Sequence, residues 1–245
     1  MKKVSIVIPT RQLKRDKNFR FFYRPVTSLP QLLEDIKNNI TIDYEVIVIV
    51  NGINDSDLLK YVEGNELIDK YSIINQNIGV SRAWNVGAML AESEAIVFIN
   101  DDVRVGKNSV DTMYDYLVDN INIGEIGPKG GLWHRDIPGE RKGIDSIEEV
   151  DEISGFCFMT TREVFDKVGG FDISYTPAGF EEIDYSFKVR KHGFKCVVLP
   201  SLDITTEPNH GISARNEDII YFNTKINTKK LHKRNKSYFL KKWYN

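Results

Sequence analysis

Four short runs of largely β-branched residues, Val4 to Ile8, Glu45 to Val50, Tyr71 to Ile74 and Ala95 to Ile99, punctuate the first hundred positions, with segments of helical period between them. The runs are almost continuously apolar, as strands buried on both faces must be. Strands that alternate with helices pair in parallel through right-handed crossovers, so the pattern predicts an α/β fold built on a doubly wound, mostly parallel sheet. Leu29 to Asn39 and Asp55 to Glu63 read as the first two helices. The third is the clearest, because Val80, Ala83, Trp84, Gly87, Ala88 and Ala91 fall at i, i+3, i+4, i+7, i+8 and i+11.

The second half is less regular. Val110, Met113, Tyr114 and Leu117 mark a helix after an Asn108 or Ser109 cap. Gly124 to Asp145, rich in glycine and charge, reads as a loop, and with Arg11 to Pro30 it is one of two candidate insertions. Ile153 to Met159 reads as a strand. Thr160-Thr161-Arg162-Glu163 then has the form of a capping box opening a short helix that stops at Gly169-Gly170. Phe180, Ile183 and Phe187 give another helix, ended by Gly193, and Lys195 to Leu199 a last strand.

Composition limits the function classes. A chain of 245 residues with 41% hydrophobic content fits one large α/β domain or one domain with a small appendage, and a formal charge of −2 gives no global basicity toward nucleic acid. Cys157 and Cys196 each sit in an apolar run with no metal-ligand spacing, which predicts buried thiols in a reducing compartment. With no signal-like or membrane-spanning apolar stretch, a cytoplasmic protein is expected. The balance is uneven, however, since no acidic residue follows Asp218 and Lys225 to Asn245 carries eight cations among Tyr238, Phe239, Trp243 and Tyr244. Such a tail suits either peripheral contact with an anionic inner membrane face through residues 225–245 or a helix packed on the domain by its aromatic residues.

Two acidic groups carry the chemistry. Ala95 to Ile99 runs into Asn100-Asp101-Asp102, and a strand's carboxyl end is where open α/β sheets bind ligands. Adjacent carboxylates there suit a hard divalent cation holding phosphate oxygens, the alternative being an acidic turn closing the strand. About eighty residues later, Gly179-Phe180-Glu181-Glu182-Ile183-Asp184 opens a helix with three acids. They serve either as N-terminal capping groups or as a carboxylate base that takes a proton from an alcohol.

Taken in order, Ser5-Ile6-Val7-Ile8-Pro9-Thr10, Glu45 to Gly52, Asn75-Gln76-Asn77-Ile78-Gly79 leading to Ala83-Trp84-Asn85-Val86-Gly87, and Phe98 to Asp102 resemble the successive blocks of the family 2 glycosyltransferases. Ser154-Gly155, Arg162-Glu163-Val164-Phe165, Gly169-Gly170-Phe171-Asp172 and Phe180 to Asp184 resemble that family's acceptor-side blocks. The resemblance, of a rhamnosyltransferase-like or related glycan-synthesis type, runs from Val4 to about Ser213. It implies a GT-A fold over residues 1–215, with a Rossmann-like nucleotide-sugar half (1–105), a smaller acceptor half (106–215) and a basic aromatic extension (216–245). The implied reaction is inverting transfer from a UDP- or dTDP-sugar to a hydroxyl of a glycan or lipid-linked acceptor, dependent on Mn²⁺ or Mg²⁺.

Residue by residue, the resemblance puts Pro9, Thr10 and Arg11 in the nucleoside pocket, Asn51 at the base, Asn77 in the same nucleotide-sugar set, and Arg82 with Asn85 near ribose or diphosphate. Asn100, Asp101 and Asp102 match the family's DxD-type element, with Asp102 as the metal ligand. His210 resembles a late histidine that joins the metal shell in some members, although a histidine in an Asn/Gly loop also reads as solvated. Glu182 matches the base, with Glu181 and Asp184 orienting acceptor or helix. Trp133 and His134 are candidate acceptor contacts, the alternative being a loop anchored by one buried tryptophan. Three positions depart from the family pattern: Asn100 and Asn51 replace aspartates, and Glu181-Glu182 stands where Glu-Asp is usual. A catalytically silent sugar-binding or scaffolding relative is therefore a competing expectation. A sugar nucleotidyltransferase is disfavoured by the lack of a Gly-rich phosphate loop after the first strand.

Overall fold

The computed structural model describes residues 2–13, 28–52, 56–134, 137–142, 146–206, 216–222 and 224–244, with backbone alone for 137–142. The first half follows the sequence pattern closely: β1 (Val4–Thr10), α1 (Leu29–Asn39), β2 (Tyr44–Asn51), α2 (Ser56–Glu63), β3 (Lys70–Ile74), α3 (Val80–Leu90) and β4 (Ala95–Ile99). There follow β5 (Val103–Val105), α4 (Ser109–Asp119), β6 (Ile123–Gly127), β7 (Gly130–His134), β8 (Ile137–Lys142), β9 (Glu148–Val150), β10 (Glu152–Ile153), β11 (Cys157–Thr161) and α5 (Arg162–Val168). The chain closes with α6 (Glu181–Lys191), β12 (Lys195–Val198), β13 (Ile204–Thr206), the hairpin β14 (Asp218–Tyr221) and β15 (Thr224–Asn227), and α7 (Thr228–Tyr244).

Eight strands form the central sheet in the order β3-β2-β1-β4-β11-β6-β12-β9. Only β11 and β9 run against the other six, so the sheet is mostly parallel. One face carries Leu29, Leu32, Leu33 and Ile36 of α1, Leu58 and Val62 of α2, and Val110, Met113 and Leu117 of α4. The other carries Ala83, Trp84 and Ala88 of α3, Val164 and Phe165 of α5, and Tyr185 and Val189 of α6. Trp84 anchors this second core, its ring 5.9 Å from Phe98, 5.3 Å from Phe158 and 4.9 Å from Phe171. Such three-layer packing leaves the carboxyl ends of the parallel strands free to bind.

Three local expectations are corrected. Gly124 to Asp145 is not a loop: it contains β6, a central strand, and the β7–β8 hairpin. Its glycines mark close packing rather than turns, since a Cβ on Gly127 would lie 2.4 Å from Ile153 Cγ2 and one on Gly130 would lie 2.3 Å from the Glu152 carbonyl oxygen. Ile153 to Met159 is broken at Ser154-Gly155-Phe156 into β10 and β11, which belong to different sheets. The cap of α5 lies one residue later than the box predicts: Thr161 accepts from Val164 N at 3.2 Å, which moves Glu163 out of the reciprocal position.

Residues 216–244 are built into the domain. Leu231, Asn235 and Phe239 of α7 are buried, and Phe239 joins Trp133, Tyr175 and Phe180 in a third aromatic cluster. Cys157 and Cys196 are both buried free thiols, as expected. Among the described residues, no helix is long and apolar enough to cross a membrane.

Candidate active site

The carboxyl ends of β1, β2 and β4 meet at one edge of the sheet. Thr10, the last residue of β1, donates its hydroxyl to Asp101 Oδ2 at 2.7 Å, tying the first strand to the acidic turn after β4. Arg11 follows directly, and its partly buried guanidinium faces the Asp101 charge. Burial lowers the Arg11 pKa and Asp101 opposes that shift; its Nε has no hydrogen-bond partner among the described residues. Asp101 and Asp102 are each only 7% exposed. Asn51, at the end of β2, receives the Ile78 N–H at 2.9 Å and donates to the Gly79 carbonyl at 3.3 Å, so its amide shapes the turn that starts α3.

Other expected nucleotide-site residues have partners within the fold. Asn77 Oδ1 accepts from Gly79 N at 3.0 Å, and its amide nitrogen donates to the Ile220 carbonyl at 3.3 Å. Arg82 donates to Thr176 Oγ1 at 3.0 Å and to the Tyr221 hydroxyl, and its guanidinium lies 6.0 Å from the Phe222 ring centroid. The β14–β15 hairpin thus sits against the start of α3, a contact between distant segments with no local sequence signal. Asn85 spends both ends of its amide on the Phe171 backbone, at 2.9 Å each, and so joins α3 to the segment after α5. His210 lies outside the described residues.

The second acidic group stands at the start of α6. Phe180 occupies the N-cap with φ 79° and makes no side-chain cap bond, while backbone N–H groups around the helix start act on the Glu181 and Glu182 carboxyls. Oε2 of Glu181 and Oε2 of Glu182 are both buried without hydrogen-bond partners. Burial, and then the neighbouring Glu182 charge, pushes the Glu181 pKa well up, and burial raises that of Glu182. Two adjacent carboxyls in this setting release their protons as a pair, above the ordinary glutamate range.

Asp184 has a different place. Fully buried, it accepts from the Tyr175 hydroxyl at 3.0 Å, Lys242 Nζ at 2.8 Å and Trp243 Nε1 at 2.8 Å. It therefore clamps α7 onto α6. Lys242 also bonds Asp172 at 2.7 Å; burial works to raise the Asp172 carboxyl, but Lys242 and Ser174 outweigh it and hold it at about 2. Asp184→Ala would leave an indole N–H and a phenol without their acceptor, and Lys242 only its more exposed partner. The expected loss is about 3 kcal/mol of unfolding free energy, the low end for breaking a buried pair because Lys242 keeps Asp172. Urea unfolding of parent and variant measures it, and a loss below about 1 kcal/mol would show the clamp to be unimportant.

Trp133 is 9% exposed, with ring contacts to Phe180 at 6.0 Å and Phe239 at 5.2 Å. Its ring packs into the third aromatic cluster, and it sits on a strand rather than in a loop. His134, next on β7, is exposed.

What brings the two acidic groups together is the break between β10 and β11. The Phe156 carbonyl accepts from Asn100 N at 3.0 Å, while a Cβ on Gly155 would come within 3.0 Å of both Cβ and Cγ of Glu182. One dipeptide thus touches the DxD-type turn on one side and the Glu182 side chain on the other. The donor set at the strand end consists of hard carboxylate oxygens beside a buried hydroxyl and a guanidinium. No group of three metal-ligating side chains gathers among the described residues. Carboxylate oxygens at a strand end suit a Mg²⁺-type ion, which takes one or two carboxylates and fills its shell from substrate phosphates and water.

The model of the glycosyl transferase family 2 matches residues 21–169. The chain belongs to that family. The match includes the acidic turn and Gly155 and ends before Glu181-Glu182. Among curated family relatives, the poly(ribitol-phosphate) beta-N-acetylglucosaminyltransferase TarP of Staphylococcus aureus (strain N315) is 26% identical over 174 residues, 68% of this chain and 50% of TarP. The "Uncharacterized protein y4gI" of Sinorhizobium fredii (strain NBRC 101917 / NGR234) is 24% identical over 225 residues, 80% of this chain and 23% of that protein. The chain therefore spans half or less of the length of these relatives. A crystal structure of GalNAc-T7 with UDP, GalNAc and Mn²⁺ superposes with a TM-score of 0.64 at 16% identity, covering 81% of this chain and 42% of that one. The family 2 domain has the GT-A fold, as the sequence blocks imply.

Proposed function

We propose that this domain transfers a sugar, with inversion, from a nucleoside-diphosphate donor to a hydroxyl group of a glycan or lipid-linked acceptor. The observation that supports the proposal is the Gly155-Phe156 segment, which touches both the turn after β4 and the side chain of Glu182, whose Oε2 is buried without a hydrogen-bond partner. A scaffolding relative needs no pair of adjacent glutamates each keeping a buried carboxyl oxygen without a hydrogen-bond partner. Keeping one is costly, and such groups cluster where proton transfer occurs.

In this reading, Pro9, Thr10 and Arg11 line the nucleoside pocket. Asn51 and Asn77 shape its wall, and Arg82 and Asn85 fix α3 and the segments that close over it. Asn100 and Asp101 complete the turn, and Asp102 holds a Mn²⁺ or Mg²⁺ ion. When bound, the metal neutralises charge on the diphosphate. Glu182 accepts the acceptor hydroxyl's proton as the new bond forms, aided by a raised pKa that brings it closer to the operating pH. Glu181 beside it, its pKa raised by burial and by the Glu182 charge, titrates together with the base. Asp184 orients the helix that carries both.

The relatives' names make UDP-linked N-acetylhexosamines the first donors to try, ahead of dTDP-sugars. A thermal-shift screen of these donors with and without Mn²⁺ tests the reading. A ligand at 100 times its Kd stabilises the folded state by about 2.7 kcal/mol, or roughly 5–10 °C in a domain this size. Failure of every nucleotide sugar to raise the melting temperature would defeat it.

The tail supports a narrower membrane reading than its composition suggests. Its aromatic residues largely face the domain, whereas Lys229, Lys230, Lys233 and Lys241 are exposed. A peripheral contact would then be electrostatic, at about 1 kcal/mol per cation near an anionic surface. Sedimentation with phosphatidylserine vesicles should show binding at low salt that high salt abolishes, and no binding at low salt would dismiss it.

A further inference from the structure

Asn235 stands in the middle of α7, only 1% exposed, and its side chain is spent on the backbone that leads into α6. Its amide nitrogen donates to the carbonyls of Tyr175 at 2.7 Å, Ala178 at 3.0 Å and Gly179 at 2.8 Å. Its Oδ1 accepts from Arg234 Nε at 2.9 Å and Nη2 at 2.8 Å. Carbonyls only accept and a guanidinium only donates, so the amide has one possible orientation. Its two protons then serve three carbonyls, one of the protons being shared. Arg234 adds a direct bond to the Thr176 carbonyl.

The segment 175–180 held in this way touches both halves of the proposed site. On the donor side, the Pro177 carbonyl accepts from Val80 N at 2.9 Å, Thr176 Oγ1 accepts from Arg82 at 3.0 Å, and a Cβ on Gly79 would lie 2.8 Å from Thr176 Cγ2. At its other end the segment enters α6 through Gly179 at φ 96° and Phe180 at φ 79°. The left-handed region is costly for a phenylalanine and persists only where the surroundings impose it. Here α7 imposes it, through Asn235, 56 residues beyond Gly179, and through Phe239, whose ring lies 5.5 Å from that of Phe180. The Phe180 carbonyl accepts from Asp184 N at 2.9 Å, closing the first turn of α6, and Glu181 and Glu182 lie within that turn. Both the segment and α7 lie beyond residues 21–169, which the family model matches.

We propose that Asn235 is a positioning residue for sugar transfer: by holding the carbonyls of Tyr175, Ala178 and Gly179 it sets the start of α6 and with it the direction of Glu182. The proposal rests on the reading of Glu182 as the base. Removing the amide donor frees the segment on its α7 side alone, since Arg82 and Val80 still hold it on the donor side. The chemical step should therefore suffer more than donor binding.

The test compares the full chain with N235D and R234A. N235D keeps the volume and the acceptor for Arg234 but turns an oxygen, in place of an N–H donor, toward three carbonyls. With the UDP-sugar that gives the largest thermal shift, N235D should lose roughly tenfold to 10² in kcat with donor KM little changed, the scale expected when a reacting group moves by about 1 Å. Hydrogen exchange read by mass spectrometry, without any ligand, should be faster over 175–184 while 228–244 stays as protected as in the parent. R234A, on the exposed side of α7, should show the same exchange pattern with a smaller loss of kcat. An N235D protein with the parent's kcat and exchange would overturn the proposal, and so would a loss of protection spread over α7, which marks a merely structural role. If N235D does not fold, R234A decides: a lowered kcat with faster exchange confined to 175–184 supports the proposal, and parental values overturn it. Should Glu182→Gln retain full activity, the base reading fails and the aiming role with it, whereas a crippled Glu182→Gln beside an N235D of parental kcat overturns the role of Asn235 alone.

Discussion

Glu182→Gln should lower sugar transfer by roughly 10² to 10⁴ while leaving nucleotide affinity unchanged, because the amide keeps the shape of the side chain but cannot accept a proton. The buried setting makes this change benign for the fold: Glu182 Oε2 has no hydrogen-bond partner to lose, and burial favours the neutral form. The pH profile gives a second check. Since the Glu182 pKa is raised, the acidic limb of kcat/KM in the parent should lie above the ordinary glutamate range, with activity rising as pH increases through it. The sign follows from the requirement for an ionised base. A parent enzyme already fully active at the pH where free glutamate titrates would contradict the assignment. If Glu181→Gln is instead the crippled variant, the base lies one residue earlier.

Asp102→Ala should nearly abolish turnover and remove any gain in nucleotide affinity produced by Mn²⁺, with the fold retained. Asp102 lies in the turn between β4 and β5, outside both strands. Isothermal titration of UDP with and without Mn²⁺ on parent and variant separates metal binding from nucleotide binding. Normal metal-dependent activity in the variant would remove Asp102 from the site and return the two aspartates to the role of a strand-closing turn.

The parallel half of the fold could be read from sequence because its physical signal is local. Buried strands such as Ala95 to Ile99 are apolar at every position, and α3 repeats its apolar residues at helical spacing over its whole length. The failures share a cause. β6, Ile123-Gly124-Glu125-Ile126-Gly127, has two glycines and an acid in five residues, and only its packing against Ile153, Val189 and Phe194 accounts for them. The acid, Glu125, passed as loop chemistry because nothing local marks a strand there. The break at Ser154-Gly155-Phe156 was hidden in the same way, since Gly155 is explained by Glu182, 27 residues later.

The sequence alone determined the α/β class, the order of the nucleotide-side elements, the acidic strand end and the acidic helix start, because each depends on residues within one element. It could not decide which carboxylate did what. Asp184 and Glu182 are two residues apart on one helix, yet Asp184 is paired with the Lys242 ammonium and hydrogen-bonded by Trp243 from α7, while Glu182 faces Gly155 and its Oε2 has no hydrogen-bond partner among the described residues. Only the tertiary structure separates clamp from candidate base, because burial and the arrival of a distant ammonium group, rather than residue type, set the work a carboxyl group can do.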